Sequence, residues 1–561
     1  MEMHAPWLAD YGKASFHLEY PDGGMYDAVL KTASDVGDFT ALSYMKRRIS
    51  YSLLIKKIDE LAASFTAAGV ECGDVVTLCL PNIPQTVYCL YALNRIGAVA
   101  CMMHPLSAVE EISPMMEEAG SDFAVVLDSF SWKFASVKVK TLLVCSAANE
   151  LGYIKKAAFW FGAGRKYAAR IPNGALLWSD FIKSGRGVVC KEHYVDKNDC
   201  AVILFSGGTT GITKAIRLSN LNLNAMALQT ESMCVNPIKG KRMLAAMPMF
   251  HGFGLGVCVH AMLVVGATSI LVPHFNVKQY AHLIRDERPN YLVGVPTLFE
   301  ALTRTDCLDG VKLDCLLGVF SGGDSLSVEL KEKMDAFLLE HGASVRVREG
   351  YGATECVAAS CLTPLHKERK GSIGLPYPDT YYAICAVDGT EELPYGTEGE
   401  ICLRGPSVML GYIGHGEENA KVLQTHADGH TWLHTGDLGV MDSDGFIYFR
   451  QRIKRMIVSS GYNVYPSQIE NVLDSHPSVK MSCVIGIKDD YKMHKAKAFV
   501  VVADGVSATD ALKSELMLYC KQRISKYALP CEIEFRDKLP QTSLGKVAYR
   551  VLEQEEEAKN N

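Results

Sequence analysis

The chain has 561 residues, 48% of them apolar, and 63 Asp and Glu against 57 Lys and Arg give a formal net charge of −6. That length supplies several structural units of about 100 to 200 residues, each able to bury its own core, which favours an enzyme over a small module. The acidic balance excludes the basic field of a nucleic-acid binder, so no nucleic-acid partner is expected.

The N-terminal MEMHAPWLADYGKASF shows no basic region followed by an apolar core, so no signal peptide is expected and the cytoplasm is the default location. The 18 cysteines form no CxxC pair, and most sit in apolar runs such as VTLCL and AVACMM. They read as buried thiols in a reducing compartment. IKKIDELAASFTAAG reads as a helix, VVTLCL as a strand, QTVYCLYALNRIG as a helix and AVACMM as a strand. This alternation predicts an α/β fold with largely parallel sheets.

Residues 153–185 mix Phe, Trp and Tyr with several basic groups. Two readings are open here: peripheral contact with anionic lipid, or a surface loop and helix packed on the body. Next, the β-type run DCAVILF ends in Ser206, Gly207, Gly208, Thr209, Thr210 and Gly211, with Lys214 close behind. Glycines let a backbone approach phosphate oxygens, amides and threonine hydroxyls supply donors, and a lysine neutralises charge. The run is not GxxxxGK[ST], because Thr213 precedes Lys214 and Ala215 follows it. Taken alone it also reads as a glycine-rich turn from strand to helix.

Residues 252–273 contain no Asp, Glu, Lys or Arg and are long enough to imitate a membrane span. His260 and the break at Gly266 before ATSILV favour a buried helix followed by a buried strand. SGGDSLS, residues 321–327, imitates the site where carrier proteins receive phosphopantetheine, which would fall on Ser325. The strand-like LDCLLGVF feeds it, and VGVPTLFE and REGYGATE lie close on either side, which leaves no room for an independent carrier bundle. Residues 391–449 change to short strands and turns, a mostly β subdomain. After Arg452 about 110 residues suffice for a small α+β domain, with a boundary expected near residues 451–454. The tail EQEEEAKNN reads as a solvated end.

SGGTTGITK resembles the phosphate loop of the adenylate-forming superfamily of acyl- and aryl-CoA synthetases, peptide-synthetase adenylation domains and luciferases. PMFHGFG (248–254), VGVPTLFE (293–300), FSGGDSLS (320–327), REGYGATE (348–355) and GSIGLPYP (371–378) follow in that family's order. So do GEICLRGPSVMLGY (399–412), HTGDLG (434–439), QRIKRMIVSSGYNVYPSQIE (451–470) and LPQTSLGK (539–546). The resemblance spans nearly the whole chain and is strongest to bacterial fatty acyl-CoA synthetases. It implies a large N-terminal domain (1–451) of parallel-sheet α/β subdomains plus a β subdomain, and a small mobile α+β C-terminal domain (452–561).

The implied activity is an ATP-dependent carboxylic acid:CoA ligase, with a fatty acid the expected substrate and ATP, Mg²⁺ and coenzyme A the expected cofactors. An aryl-CoA ligase, or an acyl-AMP ligase that loads a carrier protein, is the alternative, and the oligomeric state is left open. By resemblance, Thr209, Thr210 and Lys214 hold the β- and γ-phosphates within the Ser206–Gly207–Gly208 and Gly211 loop, and Glu355 with Thr210 binds Mg²⁺. Gly323, Asp324, Tyr351, Gly352 and Thr354 belong to the loops around the adenine. Asp437 accepts both ribose hydroxyls, and Arg452 assists at the ribose or phosphates. Lys546 bridges the carboxylate and α-phosphate, Lys454 is the hinge, and Gly461 shapes the passage for the thiol arm. Lys546, Thr210, Glu355 and His251 are the expected catalytic residues. Read alone, Asp437 and Asp442 are turn residues, Glu355 is a helix-start acid and Lys546 is a solvated lysine.

Amino-acid adenylation domains usually place an Asp after the Phe of PMFHGFG. Here His251 stands there, which disfavours a substrate ammonium left uncompensated in an apolar pocket. His251, Gly254, Gly294, Gly323 and Gly350 fall where the family lines its acyl pocket, and the glycines are expected to leave room for a chain or ring. Residues 153–185 also resemble a basic, apolar segment of bacterial long-chain acyl-CoA synthetases. Departures from the common pattern are Gly207 for Ser, Thr213 for Pro, Gln451 for Gly or Asp, and the absence of the usual Gly and Glu within DDYKMHKAKAFVV.

Overall fold

A computed structural model of the chain describes residues 5–12, 14–190, 193–206, 213–234, 238–274, 276–459, 462–489, 493–541 and 547–560. The chain divides into two compact units. The first comprises Met1–Leu326, Leu330–Tyr382 and Leu403–Leu433, and the second comprises Ser327–Glu329, Ala383–Cys402 and His434–Asn561.

The first unit is built on two large sheets, one of nine and one of eight strands, whose central strands run parallel. The expected alternation is present as the helix Tyr51–Ala67, the strand Val75–Cys79, the helix Pro84–Arg95 and the strand Val99–Met102. In the first of these helices the Ser50 side chain accepts the Leu53 N–H at 3.2 Å, and Tyr51, Leu54, Ile58, Leu61, Ala62 and Phe65 are buried at helical spacing. Capping removes one orphan donor, and the apolar stripe supplies the packing energy. The strands Val75–Cys79 and Val99–Met102 are apolar almost throughout because helices cover both faces of a parallel sheet. Beneath the nine-stranded sheet, Leu244, Ile270, Tyr280, Leu292, Phe299, Val319 and Leu338 form one core cluster.

Residues 252–273 form a π-helical stretch, Phe253–Ala261, that continues through Met262–Val264 and then becomes the strand Thr268–Leu271. Gly266, at φ +77°, makes the break between them. Among the described residues no helix is long and apolar enough to cross a membrane. His260 is fully buried, donates from Nε2 to Asn224 Oδ1 at 3.0 Å and accepts the Tyr91 hydroxyl at Nδ1 at 2.8 Å. Burial pushes its pKa down to about 3, so it is a neutral, satisfied core residue. All 18 cysteines are free thiols and most are buried.

Residues 153–185 divide in character. The helix Trp178–Ser184 packs on the body through buried Phe181, whose ring lies 5.0 Å from that of Phe65. Trp160 and Phe161, by contrast, are 50% and 72% exposed, with the Arg165 guanidinium 5.2 Å from the Phe161 ring centroid.

In the second unit, Ile457–Ser459, Tyr462–Val464, Val479–Asp489, Met493–Val502 and Glu532–Phe535 make a five-stranded sheet. Its helices are Pro466–Asp474, Asp510–Lys521 and Tyr549–Asn560, and Ile469, Leu473, Val484, Ala498, Leu516 and Ile533 share its core. This is the small α+β region expected after Arg452. Residues 451–454, where the boundary is expected, lie inside the second unit, at the end of the strand Ile447–Arg452 and on the short turn Ile453–Arg455, of which Lys454 is exposed.

Candidate active site

The strand Cys200–Ser206 pairs antiparallel with Lys214–Ser219, Ser206 opposite Lys214, and the helix Asn220–Cys234 begins only afterwards. The loop that carries the glycines therefore closes a hairpin and is not a turn from strand to helix. Lys214–Ser219 is buried at four of its six residues, with Arg217 alone exposed. Gly207, Gly208, Thr209, Thr210 and Gly211 lie outside the described residues.

At the hairpin's edge the two-residue strand Gly411–Tyr412 pairs antiparallel with Lys214–Ser219, which places the Tyr412 ring 4.9 Å from Lys214 Nζ. Lys214 Nζ also lies 2.7 Å from Glu418 Oε2, on the helix Gly416–Val422, and the Tyr412 hydroxyl donates to Glu355 Oε1 at 2.8 Å. Glu118 Oε1 anchors the arrangement by accepting the Ala215 N–H at 2.9 Å and facing His415 Nε2 at 3.1 Å. One lysine, one tyrosine and two carboxylates thus converge at this edge of the hairpin. A lysine suits phosphate, and half-buried Glu355 offers the hard oxygen donor that Mg²⁺ takes.

The parallel strands Tyr291–Gly294, Gly318–Ser321 and Val347–Tyr351 end together, with Gly294 opposite Ser321 and Ser321 opposite Glu349. Ligands of open α/β sheets gather beyond such carboxyl ends. Gly323, Asp324 and Ser325 are exposed there, and Asp324 Oδ1 accepts the Ser325 N–H at 2.9 Å. Tyr351, Gly352 and Thr354 are half-buried, and a Cβ on Gly352 would lie 1.7 Å from the Ala358 carbonyl oxygen, so only glycine fits.

His251 is half-buried, its Nδ1 accepting the Phe253 N–H at 3.2 Å. The glycines expected to line an acyl pocket differ among themselves. At Gly323 and Gly350 a Cβ would find its nearest neighbour at 3.5 Å, which is room for a contact. At Gly254 it would lie 2.1 Å from the Pro248 carbonyl oxygen, and at Gly294 2.5 Å from Leu298 Cδ2. Those two glycines are closely backed, by a backbone carbonyl at Gly254 and by the Leu298 side chain at Gly294.

In the second unit Asp437 is buried and stands opposite Arg452 across the pair Thr431–Met441 and Ile447–Arg452, with Arg452 Nε 3.3 Å from Asp437 Oδ1. Asp442 is the turn residue its sequence suggests, its Oδ1 accepting the Asp444 and Phe446 N–H groups at 3.0 Å each. Lys454 is exposed, whereas its neighbour Arg455 pairs with Glu470 at 2.6 Å. Gly461 and Lys546 lie outside the described residues.

Residues 29–413 match the AMP-binding enzyme family, and residues 468–546 match the AMP-binding enzyme C-terminal domain. The chain belongs to this family. Over 572 aligned residues, 99% of each chain, it is 31% identical to the long-chain-fatty-acid–CoA ligase of Bacillus subtilis. It is 30% identical to the feruloyl-CoA synthase of an Amycolatopsis species, covering 91% of this chain and 94% of that one. The o-succinylbenzoate coenzyme A synthetase of Bacillus subtilis, solved in complex with ATP and magnesium ion, superposes with a TM-score of 0.75 at 25% identity, covering 94% and 99% of the two chains. The protein is an adenylate-forming acid–CoA ligase.

Four residues of the ligase were not singled out from its motifs. Tyr412 and Glu418 flank Lys214, Glu349 stands in the strand before Tyr351, and Glu400 contacts Gly436, next to Asp437 in the strand Thr431–Met441. Glu349 accepts the Leu326 N–H at 3.3 Å, and burial raises its carboxyl to about 7. Each lies inside or just beyond a quoted motif, yet none bears a residue type that signals its partner.

Proposed function

We propose that the ligase joins a fatty acid to coenzyme A through an acyl-AMP intermediate. The carboxylate attacks the α-phosphorus of ATP and pyrophosphate leaves. The CoA thiol then attacks the acyl carbon, AMP departs, and the thiol proton is lost to solvent. No protein nucleophile is needed, so the side chains act by positioning and charge neutralisation. What supports a fatty acid is the identity to a long-chain-fatty-acid–CoA ligase sustained over 99% of both chains. The similarity to a feruloyl-CoA synthase favours an aromatic acid as the second reading.

In this reading Ser206, Thr209, Thr210 and Lys214 hold the β- and γ-phosphates, and Tyr351 with the Gly323–Asp324 and Gly352–Thr354 loops surrounds the adenine. Asp437 and Arg452 take the ribose. Glu355 and Thr210 would hold Mg²⁺, which supplies neutralising charge to the phosphate oxygens when bound. Lys546 bridges the carboxylate and α-phosphate. Residues 452–561 then turn about Lys454, so that Gly461 faces the thiol arm. The exposed position of Lys454 on a short turn supports a hinge there.

The ligase acts in the cytoplasm, with peripheral membrane contact through Trp160 and Phe161, whose exposure beside Arg165 and Lys166 supports that contact. Binding to anionic vesicles should fall when Lys156, Arg165 and Lys166 are neutralised, and unchanged binding counts against it. The deciding experiment is acid-dependent AMP release from ATP across saturated fatty acids and aryl acids, with and without CoA. CoA-stimulated release with fatty acids supports the proposal, and release with aryl acids alone supports the second reading. Acyl-AMP accumulating without CoA stimulation points to a carrier protein as acceptor.

A further inference from the structure

A buried polar cluster lies behind the stretch of the strand Thr431–Met441 that carries Asp437. Glu400 and His434 are both buried. Glu400 Oε1 accepts the Gly436 N–H at 2.8 Å, and Glu400 Oε2 accepts the His434 Nδ1–H, also at 2.8 Å. The Thr435 hydroxyl donates to the Ile401 carbonyl at 2.7 Å and accepts the Asp437 N–H at 3.1 Å. Every residue from His434 to Asp437 is therefore held, and three of the four bonds begin on the strand Gly399–Arg404 or end on it. Gly436 sits at φ +71°, a left-handed conformation that turns its N–H onto the Glu400 carboxylate.

Cys402 Sγ also approaches His434 Nδ1, at 3.4 Å, and the Glu400, Cys402 and His434 donor atoms all lie within 4.8 Å of one another. Such a donor set suits zinc, but the geometry here is that of hydrogen bonding. Two ligands of a tetrahedral zinc, each bound at about 2.0 Å, stand roughly 3.3 Å apart, whereas Nδ1 and Oε2 are 2.8 Å apart. The second carboxylate oxygen is already engaged with Gly436.

We infer that Glu400 is a positioning residue for Asp437: its carboxylate grips the two residues whose backbone fixes where the Asp437 side chain points. The inference rests on the reading that Asp437 receives the ribose hydroxyls. Bonds to a buried carboxylate are charge-assisted, and removing it leaves the buried His434 donor and the half-buried Gly436 N–H unsatisfied, so this stretch of strand must move to find water. A displacement of about 1 Å at a substrate-positioning group is enough to cost up to about 100-fold in rate.

The test compares ATP with 2′,3′-dideoxy-ATP in acid-dependent pyrophosphate release by the full-length wild type, Glu400→Ala, Glu400→Gln, Asp437→Ala and the Glu400→Ala/Asp437→Ala double variant. Wild type should prefer ATP in kcat/KM, and Asp437→Ala should lose that preference. Glu400→Ala should reduce the preference about tenfold, mostly through KM for ATP, with KM for CoA unchanged. Glu400→Gln keeps an acceptor for the Gly436 N–H and should lose only about threefold. Glu400→Ala added to Asp437→Ala should cost little more than Asp437→Ala alone, because the group it positions is already gone. If Asp437→Ala loses the preference while both Glu400 variants retain it in full, the positioning role is refuted and the ribose reading stands. If Asp437→Ala itself retains the preference, the ribose reading fails and the inference falls with it. Should Glu400→Ala not fold, the threefold shift in Glu400→Gln, or its absence, decides.

Discussion

Replacing Glu349 with Gln should stabilise the protein above neutral pH and leave it unchanged in acid. Glu349 stands in the strand Val347–Tyr351 with its carboxylate toward the Leu326 N–H, near Lys331 and the buried Cys361 thiol. Loss of water around the carboxylate is the largest influence and outweighs the Leu326 bond and the attraction of Lys331, raising its pKa from 4.5 to about 7. Lys331 is weak compensation because it already pairs with Asp335 at 2.9 Å and Glu368 at 2.7 Å. A rise of that size corresponds to at most about 3 kcal/mol. The folded protein holds this proton more tightly than the unfolded chain. Stability from this group is therefore greatest below about pH 4.5, falls as pH rises to about 7 and is level above. Gln cannot ionise and keeps an acceptor for Leu326. Thermal unfolding of both proteins should show a Tm gap of about 3 to 4 °C in favour of Glu349→Gln at pH 8, closing toward pH 5. A gap that is constant with pH, or that widens in acid, would refute the reasoning.

Three further outcomes test other parts of the site. Lys214→Ala should lower kcat/KM for ATP about 100-fold while changing stability by less than about 1 kcal/mol, because Glu418, its partner, is a third exposed; a stability loss with no ATP effect would make Lys214 structural. Gln451→Met should raise stability by about 1 to 2 kcal/mol, since both polar atoms of the buried Gln451 amide lack hydrogen-bond partners among the described residues. A lowered Tm would show that the amide is satisfied. Lys546→Ala should abolish acyl-AMP formation yet spare thioester formation from supplied acyl-AMP, and equal loss in both half-reactions would remove the division of labour assigned to it.

The parts of the fold legible in the sequence were those written by local pattern. VVTLCL and AVACMM read as strands because they are apolar almost throughout, and IKKIDELAASFTAAG reads as a helix because its apolar residues recur at helical spacing. The hairpin at Lys214 was less legible, since a six-residue run with one exposed arginine suits a strand or the start of a helix equally well. At Gly254 and Gly294 the sequence reveals a small residue but not what backs it, and the backing is a carbonyl in one case and a leucine in the other. Glu400, Tyr412 and Glu418 were hidden for a different reason. Each acts through a partner set by the tertiary fold, as in the 204 residues that separate Lys214 from Glu418, and a polar residue in a strand or short helix leaves no periodic trace.

The pairing of Lys214 with Glu418 bears on how tightly any polyanion could be held. Glu418 acts as an occupant anion: a phosphate that recruits Lys214 must displace a carboxylate already 2.7 Å away. Only the difference between the two partners would appear as affinity, and the displaced carboxylate would repel the newcomer unless its helix, Gly416–Val422, gave way or a cation intervened. Recognition at this edge is then an exchange reaction, weaker in ground-state binding than a lysine waiting in water, and more selective for ligands that carry a divalent cation with them.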